Sequence, residues 1–201
     1  MASTTDLHIL LLAAGEASRY GSAKQALSID GVPMVRRAAQ AALATGAELT
    51  VVTGAHAAKV IEALAGLPLT LLHNDLWAEG MGESIGCGFR HLIGNTAGSA
   101  ATIIALADQP QVDAAALQAL IEAHRHAPTR IIAADHGSTR GPPCLFPAAH
   151  YSELAALSGA QGARKLLERH AALVTALAMP AAAIDIDTPE DYRRWRGSTP
   201  D

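Results

Sequence analysis

Hydrophobic positions along this chain fall into short apolar runs separated by longer amphipathic stretches, and the two alternate. The run His8-Ile9-Leu10-Leu11-Leu12-Ala13 is short, continuously apolar and stops at Gly15, as a strand buried on both faces should. A polar segment, 16–24, follows. Pro33 then opens an Ala-rich helical stretch to about Ala44, with Gly46 as its stop. Leu49-Thr50-Val51-Val52-Thr53 reads as the next strand, closed by Gly54, and 69–73 as a third, with a helix over 56–65 between them. Such βα alternation predicts a parallel sheet covered by helices on both faces.

The alternation runs on. Residues 83–92 predict a helix despite Gly86 and Gly88, and Thr102-Ile103-Ile104-Ala105-Leu106 a strand whose end carries Asp108. Asp113 is placed to cap a helix in which Leu117, Leu120, Ile121 and His124 follow i, i+3, i+4, i+7 spacing. Strands are expected at 131–134 and 143–146, and helices at 149–157 and 161–170. In Thr188-Pro189-Glu190-Asp191, Thr188 suits an N-cap, Pro189 the first helical position, and Asp191 closes the box. The expected architecture is α/β, a mostly parallel central sheet with helices on both faces, in one domain over 1–201.

Composition narrows this picture. The 201 residues are 50% hydrophobic but only 3% aromatic, and the small side chains suit helices packed closely on a sheet. A net charge of −4 with no dense basic run argues against nucleic acid as a partner. Apolar runs stay short of the roughly 18 residues a membrane span needs, and nothing at the N-terminus reads as a secretory signal, so a cytoplasmic protein with no membrane partner is expected. Cys87 and Cys144 stand far apart without CxxC spacing and read as bystander thiols. The nine His residues show no HExxH-type spacing, and His124 and His126 fall on opposite sides of their helix.

In open α/β sheets ligands bind beyond the carboxyl ends of the strands, and three chemically loaded segments follow predicted strands. Leu12, Ala13, Ala14 and Gly15 begin a turn of small residues whose amides can approach phosphate oxygens, and Arg19 and Lys24 add positive charge. The turn is neither GxxxxGK[ST] nor GxGxxG, and a plain strand-to-helix turn with two solvated cations has the same composition. Asp108, in a turn set by Pro110, is placed to hold Mg²⁺ or simply to cap that turn. Asp185-Ile186-Asp187, if extended, puts both carboxylates on one face and Ile186 in the core, where Asp185 or Asp187 could join Asp108 at a metal; Asp187 equally suits the approach to a helix cap. A fourth segment, Gly80, Gly82 and Ser84, suggests a flexible ligand-facing loop opening a helix.

Taken in order, these segments resemble the molybdenum cofactor nucleotidyltransferases, in their cytidylyltransferase branch. The matches are Leu12-Ala13-Ala14-Gly15 with Arg19, Gly21 and Lys24; Trp77-Ala78-Glu79-Gly80-Met81-Gly82; Leu106-Ala107-Asp108-Gln109-Pro110; Gly162-Ala163-Arg164; and Asp185-Ile186-Asp187-Thr188-Pro189-Glu190-Asp191. They span 8–193. The guanylyltransferase branch reads LAGG at the first motif, so Ala14 points towards CTP. The resemblance implies a Rossmann-like nucleotidyltransferase fold, with a nucleotide-binding half at about 7–110 and an acceptor-side half at about 111–196. It implies transfer of a cytidylyl group from CTP to the terminal phosphate of molybdopterin, a phosphorylated pterin-type acceptor, with loss of pyrophosphate. It further implies Mg²⁺ on Asp108 and Asp187, with Asp185 a weaker ligand. Amides at Gly15 would hold the triphosphate, Arg19 the departing pyrophosphate and Lys24 the α-phosphate. Gly80, Gly82 and Ser84 would lie near the base or acceptor, and a molybdoenzyme of the xanthine dehydrogenase type would receive the product. Two positions depart from the family pattern on the acceptor side: Ala160 stands where an Asp is common, and Pro142 where Asn or His is. Transfer to another phosphorylated acceptor, such as a sugar or alcohol phosphate, and a non-catalytic accessory role for a molybdoenzyme are the alternatives.

Overall fold

The computed structural model describes residues 6–16, 27–95, 99–137, 139–186 and 188–198. Strand β1 (Leu7–Ala13) is followed by a two-stranded hairpin of β2 (Ser28–Ile29) and β3 (Val32–Pro33), then α1 (Met34–Leu43), β4 (Glu48–Thr53), α2 (Ala57–Leu64) and β5 (Thr70–His73). The chain continues through α3 (Met81–Asn95), β6 (Ala101–Leu106), α4 (Ala114–His126), β7 (Ile131–Asp135), β8 (Arg140–Pro147), α5 (Tyr151–Ala155), α6 (Arg164–Arg169), β9 (Val174–Ala178) and α7 (Pro189–Ser198). The main sheet has seven strands in the order β5-β4-β1-β6-β8-β7-β9.

Every residue of β1 is buried, and its side chains divide between two cores. Ile9, Leu11 and Ala13 pack with Val35 and Ala39 of α1, Val60 and Leu64 of α2, and Leu117, Leu120 and Ile121 of α4. Leu10 and Leu12 pack on the other face with Ile85, Phe89 and Leu92 of α3, Leu154 of α5, and Leu166 and Leu167 of α6. An unbroken apolar strand is what a two-sided sheet demands, because the period-2 alternation sends successive side chains into different apolar layers.

The sheet is mostly parallel, as β1 pairs in parallel with both β4 and β6, β4 with β5, and β7 with β9. Strand β8 departs from the uniform alternation, running antiparallel to both β6 and β7. Only residues 136–139 join β7 to β8, too few for the crossover that a parallel neighbour requires. Within that connection the His136 amide donates to the Thr139 carbonyl at 2.9 Å, and Gly137 takes φ +91°. Strand β9, to which the periodicity assigned nothing, forms the far edge.

From β1 the chain winds one way through β4 to β5, then returns to lay β6 on the other side of β1. That reversal opens a crevice at the carboxyl ends of β1 and β6. No helix among the described residues is long and apolar enough to cross a membrane.

Candidate active site

Three turns meet at this crevice. The register sets Leu12 beside Leu106 and Ala13 beside Thr53, so Ala14, Gly54 and Ala107-Asp108 emerge side by side from β1, β4 and β6. The Ala107 amide donates to the Leu12 carbonyl at 3.1 Å, and the Ala55 amide to the Ala14 carbonyl at 3.2 Å. From the far end of the sequence, the Ile186 amide donates to the Asp108 carbonyl at 3.0 Å. The sequence-predicted segment 106–110 is thereby in direct contact with Ile186, and it also touches the turn that begins at Leu12. Asp108 is half-buried and Asp185 exposed. Arg19, Lys24 and Asp187 lie outside the described residues.

The glycine turn is tightly seated up to Gly15, which is exposed. A Cβ on Gly54 would stand 2.5 Å from the Ala14 carbonyl oxygen, 2.6 Å from Trp77 Cβ and 2.9 Å from Ala14 Cβ. Position 54 therefore needs glycine for close approach. Ala14 itself is buried in the apolar layer that includes Val52 and Trp77, so its methyl group points into packing. Beyond Gly15, His56 Nε2–H donates to the Glu16 carbonyl at 2.8 Å, fixing the start of the polar segment from outside. Sequence reading missed His56; its signal was a polar residue two positions past the glycine that closes a strand.

On the neighbouring rim the Asn74 amide donates to the Thr53 carbonyl at 2.9 Å, and Asn74 Oδ1 accepts from the Leu76 amide at 3.0 Å. Asn74 Nδ2 donates to Ser84 Oγ at 3.1 Å, and both side chains are buried. Gly80 and Gly82 have a structural setting that differs from a flexible loop. The helix begins at Met81, so Gly82 lies in its first turn, where its amide donates to the Gly159 carbonyl at 2.8 Å. Gly80 takes φ +126°, and a Cβ there would sit 2.8 Å from both Ala160 Cα and the Gly159 oxygen. Both glycines are contact points for the 158–161 segment, which contains Ala160, one of the two departures from the family pattern. The other, Pro142, offers its carbonyl to Gln109 Nε2 at 3.1 Å and to His136 Nε2 at 3.2 Å. Gln109 Nε2 also donates to the Ala182 carbonyl at 2.9 Å. The residue after Asp108 thus ties β6 to β8 and to the segment leading to Asp185.

Beside Asp185 opens a concavity of about 400 Å³ lined by Gln111, Ala183, Ile184, Asp191, Arg194 and Trp195. Arg194 and Trp195 were not identified from the sequence, because a lone cation and aromatic on a polar helix carry no motif. The capping box does form: Asp191 Oδ2 accepts from the Thr188 amide at 2.8 Å, and the Asp191 amide donates to Thr188 Oγ1 at 3.1 Å. Both cysteines are free, and burial pushes each thiol above its ordinary range, away from thiolate chemistry.

Comparison with known proteins agrees with this geometry. Residues 9–174 match the model of the MobA-like NTP transferase domain. No curated protein sequence matches the chain. Among solved structures, Rv0371c from Mycobacterium tuberculosis H37Rv is 26% identical, superposes with TM-score 0.81, and is covered over 100% of its chain by 98% of this one. A second structure of Rv0371c, 27% identical over 97% of this chain and 100% of that one with TM-score 0.78, is a complex with manganese. A nucleotidyl transferase from Methanothermobacter thermautotroptrophicus is 24% identical with TM-score 0.79, over 95% of this chain and 96% of that one. Molybdopterin-guanine dinucleotide biosynthesis protein A from Archaeoglobus fulgidus shares the fold at 16% identity and TM-score 0.66, over 93% and 95% of the two chains. With the domain model spanning most of its length and the strand-end crevice in place, this chain belongs to the MobA-like NTP transferase family and is a nucleotidyltransferase.

Proposed function

We propose that the protein transfers a cytidylyl group from CTP to the terminal phosphate of molybdopterin and releases pyrophosphate. The observation that carries the reading is the contact of three remote segments at one crevice, through the bonds Ala107 to Leu12 and Ile186 to Asp108. A triphosphate bridged by a cation needs amides, cationic side chains and carboxylates at one place.

In this reading the backbone after Leu12, at Ala13, Ala14 and Gly15, cradles the triphosphate. Arg19 faces the departing pyrophosphate, and Lys24 steadies charge at the α-phosphate. Asp108 and Asp187 would hold the divalent ion, with Asp185 the weaker candidate; carboxylate oxygens of this kind suit Mg²⁺ or Mn²⁺, and the Ile186 to Asp108 bond supports their convergence. The manganese in Rv0371c supports a divalent ion of this kind. Bound there, the ion would supply charge neutralisation at the phosphate oxygens. An oxygen of the acceptor phosphate forms a bond to the α-phosphorus as the bond to the β-phosphate oxygen breaks, and pyrophosphate leaves with the electron pair. A phosphate monoester is largely dianionic at neutral pH, its second pKa being about 6, so this attack calls for no general base. The chain's work is positioning and electrostatics.

Ala14 supports CTP over GTP through the family pattern; being buried, it would act by setting where the backbone turn runs. Gly80, Gly82 and Ser84 would shape the wall near base or acceptor, with residues 7–110 serving the nucleotide and 111–196 the acceptor. A molybdoenzyme of the xanthine dehydrogenase type would take the product. A second acceptor, another phosphorylated small molecule, is favoured by Ala160 and Pro142 and by Arg194 and Trp195 beside Asp185.

The test measures pyrophosphate release from CTP, GTP and ATP with Mg²⁺, each with molybdopterin and with a panel of sugar and alcohol phosphates. CTP with molybdopterin is expected to turn over, and Asp108→Ala to lose at least about a hundredfold in rate. Release from GTP but not CTP overturns the base assignment. Turnover only with another acceptor overturns the pterin, and Asp108→Ala at wild-type rate overturns the site.

A further inference from the structure

Away from the strand-end crevice, three side chains from two helices point at one another. His150 ends a short 3₁₀ turn, Ala148–His150, that leads into α5. Glu153 lies one turn on, in the first turn of α5, and His170 caps the C-terminus of α6. His170 Nε2 is 3.0 and 3.1 Å from the two Glu153 carboxylate oxygens, and His150 Nδ1 is 3.8 Å from Oε1. One donor atom from each residue can be chosen so that all three lie within 4.8 Å of one another. The imidazole rings stand edge to face, centroids 4.8 Å apart.

A surface ion pair accounts for part of this arrangement, since Glu153 also accepts from Arg169 Nη1 at 3.0 Å. It does not account for His150. That side chain is only 9% exposed, packs edge-on against Phe146, and its Nδ1 has no hydrogen-bond partner among the described residues. A buried ring nitrogen left unserved is costly in either tautomer, whether it holds a proton or a lone pair. Its direction, towards a carboxylate and a second imidazole, is what a shared cation would explain. Three donors about 2.0–2.2 Å from one tetrahedral ion stand about 3.3 Å apart, so the observed separations need adjustments of an ångström or so.

We propose that His150 Nδ1, one Glu153 carboxylate oxygen and His170 Nε2 bind a single divalent transition-metal ion of the zinc type, with water completing its coordination. Two imidazoles and one carboxylate are borderline donors, and they select against Mg²⁺, which takes oxygen ligands. Burial holds the His150 pKa below its ordinary value, so the ring is neutral and able to ligate at neutral pH. Arg169 on Glu153 supplies the kind of outer contact that orients a metal-ligating carboxylate. The ion would clip the start of α5 to the end of α6, and so fasten both ends of the segment that docks on Gly80 and Gly82.

The test uses the full chain, untagged and stripped with chelator, carrying Asp108→Asn to weaken cation binding at the strand-end crevice. Calorimetry and native mass spectrometry with Zn²⁺ should count one tight equivalent that excess Mg²⁺ does not displace. His150→Gln, His170→Gln and Glu153→Gln should each weaken that binding at least about a hundredfold, beyond the effect usual for outer contacts. His150 is buried and its variant can lose its fold; the more exposed His170 and Glu153 then decide, with circular dichroism reporting folding. Binding of no equivalent, or of one whose affinity the substitutions at Glu153 and His170 leave unmoved, overturns the proposal.

Discussion

Of the four glycines in helix α3, Gly82 and Gly94 should change stability in opposite directions when replaced by alanine. Intrinsic helix propensity favours alanine at both by about 0.8–1.0 kcal/mol. At Gly94 an added Cβ meets nothing within 4 Å and the residue is exposed, so Gly94→Ala should stabilise by about 0.5–1 kcal/mol. At Gly82 the same atom falls nearest the Gln161 carbonyl oxygen, and 2.7 and 2.8 Å from those of Ser158 and Gly159. All three obstacles are backbone, so relief means moving the whole 158–161 segment. Overpacking of this kind costs about 1–3 kcal/mol, and stretching the Gly82 to Gly159 hydrogen bond adds about 1 kcal/mol. Set against the propensity gain, Gly82→Ala should destabilise by about 1–3 kcal/mol. With a urea m-value of about 2 kcal/mol per molar, the unfolding midpoint drops by about 0.5–1.5 M for Gly82→Ala and rises by about 0.3–0.5 M for Gly94→Ala. If Gly82→Ala unfolds at or above the wild-type midpoint with an unchanged m-value, the close docking of α3 on 158–161 is wrong.

Gly54→Ala should push the Ala14 carbonyl out of line and lower kcat/KM for the nucleotide by at least about tenfold, because small misplacements in a positioning site are costly; steady-state kinetics at wild-type values would refute this. Asp113→Ala removes the carboxylate that accepts from the Ala116 amide at 2.8 Å and should cost about 1 kcal/mol in urea unfolding, with Asp113→Asn recovering most of it. His8 and His124 are buried, and burial holds both pKa values below the ordinary 6.5. As pH falls through 6.5 the unfolded chain therefore takes up protons first, so the stability present above that pH declines by up to about 1.4 kcal/mol per pH unit for each group. Unfolding midpoints between pH 7.5 and 5.5 should show the fall, and a His8→Gln, His124→Gln double variant should make it shallower, with the remainder left to His150, whose pKa burial also lowers; identical slopes in the two proteins would refute the assignment.

The parts of this fold that can be read from sequence are those whose environment is set locally or on both sides. Strands β1, β4 and β6 are mostly apolar and almost wholly buried because layers of side chains cover both faces, and their short apolar runs record that. The caps at Asp113 and Thr188 form within four residues, so their pattern survives in the sequence. Strand β9 was invisible because its exposed and half-exposed residues, Thr175-Ala176-Leu177-Ala178, carry neither alternation nor β-branched density. The start of α3 was placed late because Gly80 and Gly82 read as loop residues; they serve contact with a segment nearly eighty positions away. The same limit governs the site. Asp108 and Gly15 are marked by following strands, but the bond joining Asp108 to Ile186 spans the second half of the chain, so the sequence offers their meeting only as one open reading, to which the resemblance to a family adds weight. His56, Arg194 and Trp195 touch the site through tertiary contact alone.

The two sides of the proposed site are held with unequal firmness, and this bears on specificity. The nucleotide side rests on the ends of β1, β4 and β6, whose residues belong to the two large cores. Asp185 rests on a much smaller cluster in which Ile186 and Trp195 pack with Ile29 and Met34, while Tyr192 lies against it and donates from its hydroxyl to the Ser28 carbonyl at 2.9 Å. Ile186 is wholly buried there, and its amide is the one bonded to Asp108. The position of the Asp185 carboxylate is therefore set by how α7 docks on the 28–33 hairpin, and the concavity lined by Arg194 and Trp195 changes shape with that docking. A site divided this way can keep one donor chemistry, fixed by the sheet, while its acceptor pocket diverges through substitutions in a few peripheral residues. Both departures from the family pattern, Ala160 and Pro142, also lie off the β1, β4 and β6 strand ends that hold the donor side.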